Sequence, residues 1–290
     1  MLSLAVCAVL MSTPQDYRKN LNTFMDVERA FSRLAAMQGI RNSFLHFFAP
    51  ECIAFNPEAY VAKEELENQP EEKKPLDYLL AWEPRIADCS SRGDLGFTTG
   101  PAKYIDLSPA KRPIRHMAYF SIWKKMPDGE LKIVLDMGTP LAAEPDFPKQ
   151  MKVRGEPRPA FVTADMVDRT RTLIDRFEED IRKSTPAELP KTLEMIYNKE
   201  LIAYRSQAMP LQSAAEALDW TKKNQPALKE WELRKIEIAE SADLAWCWGS
   251  YSGTIGGKPA RGYWAHVWKC EVGKGWHIVA DTMSILPPKE

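Results

Sequence analysis

The chain has 290 residues, 44% of them hydrophobic and 27% charged. This is enough apolar material for packed cores; it excludes disorder, and the length exceeds a single domain of common size, so two domains are expected. Lys and Arg number 39 against 40 Asp and Glu, and a net charge of -1 lacks the basic surplus that nucleic-acid binding requires.

Taken in chain order, Leu2 to Met11 form an uncharged apolar run suited to the core of an export signal and too short to span a bilayer. No Lys or Arg precedes it and no small-x-small site follows. Leu4-Ala5-Val6-Cys7 resembles a lipoprotein attachment box only loosely. Residues 1–15 are set apart as signal-like, an exported location is expected over a cytoplasmic one, and no transmembrane segment is expected.

Phe24, Val27, Phe31 and Leu34 then recur at helical spacing, with Gly39 as the stop. A shorter helix near Asn42 to Phe48, a strand near Cys52 and a helix near Pro75 to Ala81 follow. Three β-rich runs complete the unit, separated by turns such as Pro127-Asp128-Gly129. The basic stretch Lys103 to Arg115 reads as a solvated hairpin loop. Pro140, Pro145, Pro148, Pro157 and Pro159 mark a semi-stiff linker.

The same order then repeats. Val167, Thr170, Ile174, Phe177 and Ile181 form a helical stripe with Asp165 as N-cap, followed by helices near Pro186 to Tyr197 and Leu211 to Trp220, a strand near Leu201, and β-rich runs with a Gly256-Gly257 turn. Cys52-Ile53-Ala54-Phe55 matches Leu201-Ile202-Ala203-Tyr204. Trp82-Glu83-Pro84-Arg85 matches Trp231-Glu232-Leu233-Arg234, and the seven residues from Asp94 match those from Asp243, all 149 positions apart. Trp123-Lys124 and Ile133-Val134-Leu135-Asp136 match Trp268-Lys269 and Ile278-Val279-Ala280-Asp281 at an offset of 145. Recurrence in order at near-constant spacing defines a duplication: residues 16–138 and 165–290, joined by linker 139–164. Helices first and an antiparallel sheet afterwards give fold class α+β.

These elements, with the strand signatures Gly93 to Gly100 and Tyr119 to Asp136, resemble the nuclear transport factor 2-like superfamily, which includes ketosteroid isomerase and polyketide cyclases of the SnoaL-like group; they look most like an uncharacterised bacterial branch. The resemblance implies two cone-shaped, cystatin-like domains, each a curved antiparallel sheet wrapped by N-terminal helices with a pocket at its open end. It also implies sheet-to-sheet pairing, here between the two copies as a pseudo-dimer, with a homodimer as the other arrangement.

Asp136 and Asp281 are equivalent polar residues late in a strand, suited to line such a pocket as proton acceptor or ligand anchor, or else to pair with an Arg. Strict alternation places Asp136 with Lys132 and Val134, and Ile133 with Leu135 and Met137. The four histidines share no position between copies; His266, flanked by Trp264 and Trp268, is the candidate for a site unique to the second copy. Asp281, His266 and Asp136 are therefore the catalytic candidates, and Tyr204, Trp264, Tyr119, Arg234 and Arg85 the ligand-binding ones. Glu83 with Arg85, and Glu232 with Arg234, read as ion pairs or as anchors for an acidic ligand. Small residues at Gly96, Thr98 and Gly100 permit either close helix approach or an open cavity. Five scattered cysteines and no His/Cys grouping argue for no metal site, and no phosphate loop or other cofactor motif is present, so no cofactor is expected. The leading expectation is a non-catalytic binder or scaffold for a small apolar or weakly acidic ligand. A cofactor-independent lyase or isomerase using an Asp with His or Tyr is the alternative, and a protein interaction module the second.

Overall fold

A computed structural model describes residues 13–110, 112–148, 152–153, 163 and 165–286. The signal-like run and linker prolines Pro157 and Pro159 lie outside the described residues. None of the described helices is long and apolar enough to cross a membrane.

In the first half, α1 (Pro14–Gln38) begins on a capping box of Thr13 and Asp16 and ends at Gly39, whose φ of 90° suits a glycine stop. Next come α2 (Ile40–Phe47), β1 (Phe48–Phe55), β2 (Ala59–Val61), α3 (Ala62–Asn68), β3 (Tyr78–Trp82), β4 (Ile86–Cys89), β5 (Leu95–Asp106), β6 (Arg115–Lys125), β7 (Leu131–Pro140) and β8 (Lys152–Val153). The second half contains α4 (Met166–Lys183), α5 (Leu189–Ile196), β9 (Tyr197–Arg205), α6 (Ala214–Asn224), β10 (Ala227–Ile238), β11 (Leu244–Ile255), β12 (Lys258–Glu271) and β13 (Gly275–Met283).

The architecture is α+β, with sheets ordered β2-β1-β7-β6-β5-β4-β8 and β10-β11-β12-β13-β9, and β3 pairing with β5. Each sheet is mixed rather than wholly antiparallel. β1 runs parallel to β7, and β9 parallel to β13, because the strand that leaves the opening helices enters beside the last strand. Where a helix is expected over Pro75 to Ala81, the structure has β3, whose apolar run finds its ladder opposite Ala102 to Asp106; tertiary pairing overrides an ambiguous short pattern. Pro84 separates β3 from β4, and Glu83 pairs with Arg29 of α1 at 3.2 Å rather than with its neighbour Arg85. Glu232 and Arg234 do pair, at 3.2 Å. Lys152–Val153, inside the expected linker, pairs with Ile86 and Ala87.

The alternation assumed for the last strands is broken by a bulge. Ile122 faces Leu135 while Trp123 faces Ile133, leaving Val134 as an extra residue, and Val279 is extra in the same way opposite Val267 and Trp268. Ile133 thereby turns into the helix-covered cone, whereas Leu135 and Met137 turn to the other face. Asp136, next along, points back into the cone.

Each cone has its own core, and a third core lies between the sheets, where Phe97, Phe120, Ile122 and Leu135 pack with Trp246, Val267, Val279 and Ala280. Polar contacts across this face recur under exchange of the copies, as a two-fold relation requires. Lys269 reaches Asp88 (3.2 Å) and the Cys89 carbonyl (2.7 Å), and its counterpart Lys124 pairs with Glu237, the counterpart of Asp88. Ser91 N–H donates to Asp243 (3.0 Å), and its counterpart, Glu240 N–H, donates to Asp94 (2.8 Å). Burial opposes the charge on Lys269, but Asp88 and Asp243 outweigh it and hold the amine protonated.

Light scattering is expected to return the mass of one chain, 33.0 kDa; twice that mass, with each sheet facing a different chain, would contradict the pairing. Lys269→Met strands two buried carboxylates and is expected to cost about 3–5 kcal/mol in urea unfolding. Lys124→Met, at a partly solvated pair, is expected to cost under about 1 kcal/mol.

Candidate functional site

The helix that opens each copy carries a glutamate inside its apolar stripe. Phe24, Glu28 and Phe31 in α1 have the spacing of Ile174, Glu178 and Ile181 in α4, and all six side chains are buried. A carboxylate there must be hydrogen-bonded to be tolerated. Glu28 accepts from the indoles of Trp82 (2.5 Å) and Trp123 (2.8 Å) and from Thr98 (2.5 Å). Glu178 accepts from the indoles of Trp231 (3.3 Å) and Trp268 (3.2 Å) and from the Cys247 thiol (3.2 Å). The partners are counterparts position by position. The small strand face therefore serves helix approach: a Cβ on Gly96 would lie 2.9 Å from the Phe24 ring.

Beside this shared element the copies diverge. The second cone is filled by a charge network. His266 places Nδ1 2.8 Å from Glu178 and Nε2 3.6 Å from Asp281. Arg205 grips Asp281 through two bonds of 2.9 and 2.5 Å, and Tyr197 donates to it at 2.5 Å. The guanidinium lies over the Trp220 ring at 5.1 Å. Burial works against both charged forms here, yet Arg205 and His266 hold the Asp281 carboxyl below its usual range, and Glu178 and Asp281 raise the His266 imidazole. The space left is about 30 Å³. Glu178, Cys247 and His266 also bring three donor atoms within 4.8 Å of one another. Cys247 and His266 are both engaged in hydrogen bonds to Glu178, and in the first copy Glu28 likewise accepts from Thr98, the counterpart of Cys247, so hydrogen bonding accounts for the grouping.

The first cone holds a cavity of about 160 Å³, lined by Phe31, Phe44, Trp82, Met117, Tyr119, Ser121, Asp136 and Gly138, among others. Six lining positions are counterparts in the two cones: Phe31 and Ile181, Phe44 and Leu193, Trp82 and Trp231, Ser121 and His266, Asp136 and Asp281, Gly138 and Met283. The Trp and Asp are kept. Ser121 and Gly138 give way to the larger His266 and Met283, which with Tyr197 and Arg205 fill the second cone. Asp136 accepts from Ser121 at 2.8 Å; burial pushes its pKa up to about 6, with that hydrogen bond opposing. Burial likewise pushes Glu28 up to about 7 despite its three donors, and the charge of Asp136 adds to the rise. The buried Tyr119 hydroxyl makes no hydrogen bond of ordinary geometry, and nearby Thr98 is committed to Glu28.

Of the residues singled out from sequence, Asp281 and His266 meet in the second cone, with Trp264 stacked on Trp231 at 4.3 Å. Asp136 and Tyr119 meet in the first. Tyr204 belongs to neither cavity; it lies between the sheets, with its hydroxyl 2.8 Å from Thr99. Arg234 lies on the outer surface over Trp248 and Tyr263. Arg85 lies between β3 and β4, where its N–H donates to the Thr99 carbonyl at 2.9 Å. Glu28, Glu178, Arg205 and Gly138 escaped sequence reasoning. The available signal was a carboxylate inside the same helical stripe of both copies.

No family model matches the chain, and no curated protein matches it. Among solved structures it is similar to a nuclear transport factor 2-like protein from Cytophaga hutchinsonii, at 13% identity and a TM-score of 0.34 over 40% of this chain and 98% of that one. It is similar also to a nuclear transport factor 2-like protein of unknown function in nutrient uptake from Rhodospirillum rubrum (18%, 0.33, over 39% and 98%) and to a cystatin-like fold protein from Burkholderia xenovorans (18%, 0.33, over 44% and 96%). These neighbours are of the fold type that the sequence resemblance names, and each spans roughly two fifths of this chain.

A carboxyl with a raised folded pKa binds its proton more tightly folded than unfolded, so its burial is tolerated in acid and costs more as pH rises from about 4 through about 6. Asp136→Asn is therefore expected to stabilise the protein, by up to roughly 3 kcal/mol at pH 8 and about half of that at pH 5. Urea unfolding at both values checks this, and a pH-independent difference would contradict it.

Proposed function

We propose that the protein binds a small molecule in the cone of its first copy, with the second copy as its filled structural partner. The observation that carries this reading is the 160 Å³ cavity with aromatic and aliphatic walls and one carboxylate. Binding sites of this kind combine apolar walls with a few placed polar groups. Cavities near 150 Å³ take benzene-sized guests, so the ligand is one ring with a short substituent rather than a fused polycycle. The Asp136 carboxyl, near pKa 6, faces the polar end of such a guest. A carboxylate tuned to that range beside the free Tyr119 hydroxyl is also what general-base chemistry uses, so an isomerase or lyase acting on the same guest is the second reading; turnover lost in Asp136→Asn would favour it.

Benzyl alcohol in the millimolar range is expected to raise the melting temperature. A Cβ added at Gly138 meets nothing within 4 Å, so Gly138→Met, the residue of the second cone, is expected to keep the parent's stability and abolish the shift. Absence of any shift in the parent, or an undiminished shift in Gly138→Met, would contradict a ligand in this cone.

A further inference from the structure

Resting on the reading that the first cone holds a ligand, we infer that this ligand is a small organic cation, an amidinium or protonated amine carried on a ring-sized apolar body. The duplication supplies an internal comparison. Both cones contain the same two carboxylates, a buried helix glutamate and a strand aspartate, the aspartate buried as Asp281 in the second cone and half-buried at the cavity wall as Asp136 in the first. In the second, the protein provides the opposing charge itself: His266 bridges Glu178 and Asp281, and the Arg205 guanidinium binds Asp281 with two hydrogen bonds against the Trp220 face.

In the first cone those providers are missing. Ser121 stands where His266 does, and the counterparts of Tyr197 and Arg205 are Phe48 and Asn56, the latter exposed and just past the end of β1. Among the described residues no Lys, Arg or His lines the cavity. The groups that bear on Asp136 from the packed elements are Glu28 of α1, Cys52 of β1, Tyr60 of β2, and Ser121 of β6, none of them basic. A half-buried Asp136 beside the buried Glu28, without a counter-charge, is costly, and a cation bound against Asp136 relieves that cost directly. The cavity is also lined by Phe31, Phe44, Trp82 and Tyr119, aromatic side chains of the kind that attract a cation where water is excluded. An anion is repelled here, and a neutral guest leaves the charge uncompensated. The place that Arg205 fills from within the second cone is left in the first for a guest.

The test compares benzamidine, benzyl alcohol and benzoate, which share a ring and differ in charge, by calorimetry and melting temperature on the full chain at pH 7.5. Benzamidine is expected to bind at least tenfold more tightly than benzyl alcohol, benzoate not at all, and the benzamidine preference to fall away toward pH 5 as Asp136 takes up a proton. Asp136→Asn should remove the preference while leaving benzyl alcohol binding in place. Ser121→His, which installs the second copy's imidazole between Glu28 and Asp136, should remove benzamidine binding in a folded protein. Equal binding of benzamidine and benzyl alcohol would overturn the cation inference and leave the cavity reading standing; no binding of any of the three would overturn both.

Discussion

Each half of the molecule is organised around a buried glutamate that a helix delivers to the inner face of a sheet. Three donors must converge on Glu28 or Glu178, and two are indoles too large to sit anywhere but the middle of the cone. That requirement fixes where the helix crosses the sheet, keeps the facing strand positions small at Gly96 and Thr98, and makes the recurring tryptophans bonding partners as well as packing residues. The bulge at Val134 and Val279 belongs to the same design, because it turns the following aspartate into the cone.

From this common frame the copies solve one electrostatic problem in two ways. Burying a glutamate and an aspartate together is unfavourable unless positive charge or protons are supplied. The second cone supplies a histidine and an arginine and closes up around them. The first supplies neither, and Asp136 and Glu28 are left to rise toward neutral pH beside an open space. One cone is thus a finished core and the other keeps an unfilled cavity.

Much of the frame was legible in the sequence. The duplicated strand segments are long, apolar and bounded by Gly and Pro, so the two copies and the α+β class follow from their order and offset. Asp136, Asp281 and His266 were legible because strand position and repeat comparison isolate them. Glu28 and Glu178 were hidden for a definite reason: in the helices the offset is 150 rather than 149, so a fixed alignment sets Glu28 against Phe177. Which cone is open was not legible either. It depends on the volumes at Ser121 and Gly138 against His266 and Met283, and on the distant Arg205, whose part in the cone comes from the parallel pairing of β9 with β13. Strand β3 was mistaken for helix because a five-residue apolar run carries too little periodicity to choose.

The face between the sheets completes the account, because it packs the two copies on a shared core and ties them through reciprocal Lys to carboxylate contacts. The central claim is that the aspartate pair, equivalent in strand position, differs in charge compensation. Carbon-13 NMR titration of the carboxyl groups of Asp136 and Asp281 in the unliganded protein tests it most directly. The account predicts a midpoint of about 6 for Asp136 and one below the usual carboxylate range for Asp281. Coincident midpoints, or an Asp136 that titrates near 4 like a solvated carboxylate, would contradict it.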